Sequence, residues 1–210
     1  MKRLIFFLIL FSELTLSAQK DSVAYSRDYE FKEGIFIDGK SFRMNNPIPK
    51  NSIITAIPKN QLDLLDEVME YKTVSYKDTS GKEMQLETAT AWGYCQNRTI
   101  YLNFNKQFNR VNVIGSLCHL TAHVTTQVGY RDPMDYNYGI NNSYDELRQF
   151  VYDTKTDKVY DFNVKTMELL LKEDPALYDQ FMKLKRREKA DSIFIYLRKY
   201  NEKHPLYLPI

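Results

Sequence analysis

Through the middle third of this 210-residue chain, apolar residues return at every second position, a period that places them on one face of a pleated sheet. After Tyr71, Val74 and Tyr76 alternate with polar neighbours up to a Thr79-Ser80-Gly81-Lys82 turn. Residues 84–95, 98–104 and 110–125 then each favour strand, separated by Gln96-Asn97 and by residues 105–108. Gly115 interrupts the longest run and reads there as a bulge or bend. Residues 130–144 carry Asn, Tyr, Asp and Gly without a period, which describes a long loop. Phe150-Val151-Tyr152 and Val159-Tyr160-Asp161-Phe162 form a hairpin around residues 154–158.

The flanks differ in character. Glu33-Gly34-Ile35-Phe36-Ile37 reads as a strand, and Asp38 caps a short helical turn through Ser41, Phe42 and Met44. Residues 60–70 place Leu62, Leu65, Val68 and Met69 at helical spacing behind an Asn60 cap, as a short helix or a loop with one turn. Toward the C-terminus, Asn163 caps one helix and Asp174-Pro175 starts another, since proline is already at helical φ. The stripe of Leu177, Phe181 and Leu184 lies opposite that of Ile193, Leu197 and Tyr200. Either a new helix starts at Asp191, or one long helix meets different partners at its two ends; Pro205 ends it.

Residues 1–18 have the order of a cleavable secretory signal: Met1-Lys2-Arg3, an apolar run from Leu4 to Phe11, and small residues up to Ala18. The run is too short to cross a bilayer, which takes about 20 apolar residues. Cleavage after Ala18 is expected, and with no cysteine near that point a lipid anchor is not. Losing Lys2, Arg3 and Glu13 takes the net charge from +2 to +1. A nearly neutral chain has no field strong enough to hold nucleic acid through its phosphates. Sixteen Tyr and 12 Phe against 7 Gly fit a β-rich core; sugar-binding platforms use the same rings.

Candidate chemistry is sparse. Cys95 and Cys118 can form a disulfide in an oxidising compartment or stay as two buried thiols. His119 and His123 would share a zinc ion on a helix, but in a strand they stand ~13 Å apart, so no metal is expected. Cys118 and His119, as strand neighbours, point to opposite faces and make no catalytic dyad. Tyr130, Asp132, Asp135, Tyr136, Tyr138 and Asp145, in and beside the Tyr-rich loop, are the candidate ligand-binding residues. Asp132, Asp135, Asp145 and Glu146 would be the acids of a hydrolase, if a cleft paired two of them. The basic run of residues 183–189 reads as a solvated helix face. No catalytic residue and no cofactor is assigned.

At Glu33-Gly34-Ile35-Phe36, Trp92-Gly93-Tyr94-Cys95, Thr99-Ile100-Tyr101-Leu102 and Tyr200-Asn201-Glu202-Lys203-His204-Pro205, the chain resembles a family of small exported proteins of Bacteroidota. The resemblance runs over most of the chain after the signal. It implies an opening strand, a Trp-Gly hairpin and a helical tail, and it carries no activity, cofactor or catalytic residue. Gln96-Asn97 stands where that family commonly has an Asp-Gly-like turn.

The expected architecture is α+β: an antiparallel curved β-meander over about residues 72–162, an added N-terminal strand, and C-terminal helices over 163–204 packed on one face. Residues 19–31 form a flexible lead-in, and 32–210 form one domain. The buried side includes Val74, Ile100, Leu102, Val113, Val159, Leu170, Phe181 and Leu197. The expected function is an exported envelope or surface module that binds a protein, small-molecule or glycan ligand through the Tyr-rich loop or a free sheet face. A hydrolase of envelope or host polymers and an envelope stress or assembly factor are the alternatives.

Overall fold

The computed structural model describes residues 22–128 and 142–210. In chain order its elements are β1 (Ser22–Ala24), β2 (Gly34–Phe36), α1 (Gly39–Arg43), β3 (Ile48–Pro49), β4 (Ile53–Ile54), α2 (Leu64–Met69), β5 (Thr73–Lys77) and β6 (Glu83–Glu87). There follow β7 (Gly93–Gln96), β8 (Thr99–Phe104), β9 (Gln107–Val113), β10 (Leu117–Val128), β11 (Asn142–Asp153) and β12 (Lys158–Asp161). Helices α3 (Val164–Leu170), α4 (Pro175–Met182) and α5 (Arg186–Lys203), then β13 (Tyr207–Pro209), complete the chain.

The class is α+β. Eight antiparallel strands in the order β12-β11-β10-β9-β8-β7-β2-β3 make one curled sheet, with the C-terminal helices beside it. Alternation sorts its side chains. Cys95 and Ile100 pair across β7 and β8 and point into the curl, while Tyr94 and Tyr101 pair and point out. The inside of the curl is filled by Phe31, Phe42, Leu206 and Leu208. Outside, β4-β5-β6 and α2 cover Ile35, Tyr94 and Tyr101 at one end, and α3–α5 cover Leu117 and Val151 at the other. Both ends of the central sheet are thus covered, whereas the outer part of the β10–β11 ribbon, with His123, Thr125, Tyr144 and Leu147 exposed, is not.

Sheet boundaries differ from expectation in two places. The meander starts at β7, because β5 and β6 pair with β4 in a separate sheet. Between β6 and β7 the 3₁₀ turn Thr88–Thr90 folds back: Thr88 N donates to Lys72 O (3.1 Å) and Thr88 Oγ1 to Tyr71 O (2.6 Å). The run expected over 110–125 is two strands, β9 and β10, joined at Ile114-Gly115-Ser116, so Gly115 turns the chain rather than bending one strand. Near that turn Val111 faces Leu120 while Val113 faces His119. Asn112 is therefore the extra residue of a bulge, which moves Val113 to the helix-covered face.

Local signals hold better. Asp38 caps α1, accepting from Ser41 N, and Asn163 and Asp174 cap α3 and α4 as expected. Asn97 and Arg98 (φ 49° and 62°), like Asn105 and Lys106 (56° and 61°), form two-residue hairpin turns whose backbone matches strand twist. The first turn is therefore Asn97-Arg98, one residue later than Gln96-Asn97. Helix α2 starts at Leu64, not behind Asn60, and leaves Leu62 exposed. The last helices break at residues 183–185 rather than at Asp191. Of the expected core, Val113 and Val159 are half-buried and the other six residues are buried.

Residues 22–31 are not a loose lead-in. β1 pairs with β13, register Ser22 to Pro209, and Tyr25 N donates to Leu206 O at 2.7 Å. Tyr29 Oη reaches Pro209 O at 2.9 Å, and Phe31 stacks on Phe42 with ring centroids 5.4 Å apart. Among the described residues no helix is long and apolar enough to cross a membrane.

Candidate functional site

A cleft of about 590 Å³ is bounded by Ala24, Tyr25 and Arg27, the end of β9 and its turn into β10, the end of α5, and Pro205-Leu206. A neighbouring hollow of about 290 Å³ shares Tyr25, Arg27 and Ile114 with it. Together they are of the size that holds a small molecule. The cleft forms where residues 24–27 and the end of α5 meet the β9–β10 turn.

Its walls are tied together. The Asn201 carboxamide grips the backbone of Leu117, accepting from its N–H and donating to its carbonyl, both at 2.8 Å. Ser116 Oγ donates to His204 O at 2.6 Å. A Cβ on Gly115 would overlap the Asn201 side chain, so only glycine lets the turn pass this close to α5.

Chemically the cleft has two kinds of wall. Val111, Val113, Ile114, Pro205 and Leu206 present apolar surface, and Arg27, Arg198, Asn112 and Glu202 present polar groups. Arg27 and Arg198 are exposed and join no ion pair among the described residues. By contrast Arg98, in the smaller hollow, is paired with Glu30. Burial raises the pKa of the Tyr25 phenol, with Cys118 adding to the rise and Arg27 opposing it, so this hydroxyl stays a donor at neutral pH. Glu202 is the one carboxylate of the larger cleft and has no second acid or base opposite it, so the lining offers no pair for proton transfer.

The residues proposed from sequence lie elsewhere. Tyr130, Asp132, Asp135, Tyr136 and Tyr138 fall outside the described residues, whereas Asp145 is exposed on β11 and accepts from Thr125 Oγ1 at 2.6 Å. Glu146, its strand neighbour, points to the other face and is held by Thr126 Oγ1 (3.2 Å) and Arg148 (3.5 Å). These two acids do not converge. His119 and His123 lie on β10 as expected, His119 buried and His123 exposed. Cys95 and Cys118 are free thiols, three positions apart in strand order, and burial pushes both up to about 12. The bridge left open by sequence is absent, and each sulfur instead donates to a nearby carbonyl, of Phe31 and Gly115 respectively.

Two further polar clusters are structural. Asp174, buried at the start of α4, accepts from Leu177 N, Lys203 Nζ and His204 Nε2, and the Lys203 and His204 bonds hold its carboxyl well below the usual range. No nucleophile meets that imidazole, so the pair fastens α4 to the end of α5. Lys189, from the basic run expected to be solvated, turns inward to Glu168 (2.6 Å) over the Phe181 ring.

Sequence reasoning missed Tyr25, Arg27 and Arg198. The available signal was three aromatic residues, Tyr25, Tyr29 and Phe31, in a short and largely polar stretch, which a loose segment does not need. Compared with known proteins, the chain finds no match among protein families, curated proteins or solved structures.

Proposed function

We propose that the protein is an exported, non-catalytic binding module that takes a small ligand in the cleft between its N-terminal segment, the β9–β10 turn and α5. One observation carries this reading: a braced hollow of about 590 Å³ joins an apolar wall to two arginines that have no partner of their own among the described residues. Unpaired guanidinium groups beside apolar surface are what a binding site needs before its ligand arrives. The order of residues 1–18 supports export. The two thiols are compatible with an oxidising compartment, since both are sealed from solvent and lie on separate strands.

Filling the cleft tests it. In a fragment screen read by ligand-observed NMR, wild-type protein should give hits that are lost in Ile114→Trp, whose indole would occupy the hollow. Hits indifferent to that substitution would argue against the cleft. Export is checked separately: the protein recovered from a periplasmic or culture fraction should begin at Gln19.

A further inference from the structure

The geometry points to a singly charged organic carboxylate with an apolar body as the ligand class of this cleft, an inference that rests on the proposed binding role. Arg27 and Arg198 supply two positive charges and Glu202 removes one, leaving a net +1 along the larger hollow. Next to it, Arg98 is committed to Glu30, and Asp28 adds a further acid. A dianion such as a phosphate monoester exceeds the net +1 of the larger hollow and would also meet two uncommitted carboxylates, Glu202 and Asp28, whereas one carboxylate matches the charge of that hollow. A guanidinium fork also fits a carboxylate with two parallel hydrogen bonds, which a neutral or cationic head cannot accept.

Shape fixes the other half of the ligand. Val111 is buried, and it lines the hollow together with Ile114, Pro205 and Leu206, so a hydrocarbon chain or ring loses contact with water when its head reaches the arginines. A free sugar has no such body. The Asn201 side chain is occupied with Leu117, which leaves Tyr25, Arg27, Asn112, Arg198 and Glu202 as the polar side chains of the lining. The cleft thus reads head and tail together.

The test uses four eight-carbon probes with the full mature chain: octanoate, octyl phosphate, octylamine and octanol, titrated by calorimetry at low salt. Octanoate should bind one to one and most tightly. Arg27→Gln and Arg198→Gln, both at exposed positions, should each weaken it by about tenfold or more while leaving the thermal midpoint unchanged. Glu202→Gln should narrow the gap between octanoate and octyl phosphate. Should octylamine or octanol bind as tightly as octanoate, with Ile114→Trp still abolishing binding, the carboxylate assignment falls and the cleft stands. Binding by none of the four, or binding that Ile114→Trp leaves intact, removes both.

Discussion

His119 shows how one side chain is set by what packs on it. Its Nε2 lies 3.1 Å from Gln149 Oε1 and so carries the proton, while Nδ1 is buried without a partner. The rings of Phe162 and Phe194 meet it edge-on at 5.0 and 4.7 Å. Burial lowers its pKa, and the Gln149 hydrogen bond opposes this only in part. Above pH 6.5 the imidazole is neutral folded or unfolded and contributes no pH dependence. Below it the unfolded chain takes up the proton first, so stability should fall with pH until the lowered folded value is passed. Urea midpoints from pH 7.5 to 5 should show this decline in wild type and a shallower one in His119→Leu. Parallel profiles for the two proteins would mean that His119 stays solvated. In the sequence, His119 was legible as a strand residue and as no partner of His123, but its aromatic cage was not, because Phe194 comes from a helix far along the chain.

Among the elements, hairpins and helix caps were the most legible. Asp38, Asn163 and Asp174 act within three residues of themselves, so the information needed to place them is local. The turn at Asn105-Lys106 holds a lysine in the left-handed region that glycine occupies at no steric cost. Lys106→Gly should therefore raise stability by roughly 0.5–1 kcal/mol, the left-handed penalty less the added freedom of the unfolded chain. A higher denaturant midpoint with unchanged slope is the expected reading; a lower one would show that Lys106 makes contacts that outweigh its backbone. Less legible was the grouping of strands. Residues 84–95 read as one run, but the 3₁₀ turn at Thr88–Thr90, with its bonds back to Tyr71 and Lys72, and the pairing of β5 with β4 assign β5 and β6 to a different sheet.

At the level of the whole molecule, the first described residues and the C-terminal strand are one structural unit. Tyr29 and Pro209 are bonded across 180 residues, and β13 brings Leu206 and Leu208 into the same core as Phe31. Ending the chain after Pro205 removes both buried leucines and leaves β1 without a partner. Truncating one buried leucine to alanine costs about 2–5 kcal/mol, and a domain of this size has about 5–15 kcal/mol in all. The shortened chain should therefore be largely unfolded at 37 °C by circular dichroism. A native melting curve would mean that the terminal pair is ornamental and that the cleft beside it is not braced as described.

The sequence by itself determined what depends on neighbours a few residues away: the pleated middle third, the helical tail, the caps at Asp38, Asn163 and Asp174, the hairpin turns at Asn97 and Asn105 to within two residues, and the separation of His119 from His123. Tertiary structure alone decided which strands share a sheet, that both cysteines stay unbridged, and that the first described residues close over the β9–β10 turn to make a cleft. The physical reason is range. A three-residue strand such as β1 has too few positions to show a period, and it is held only by β13, far away in sequence, so nothing in its own composition announces the pairing.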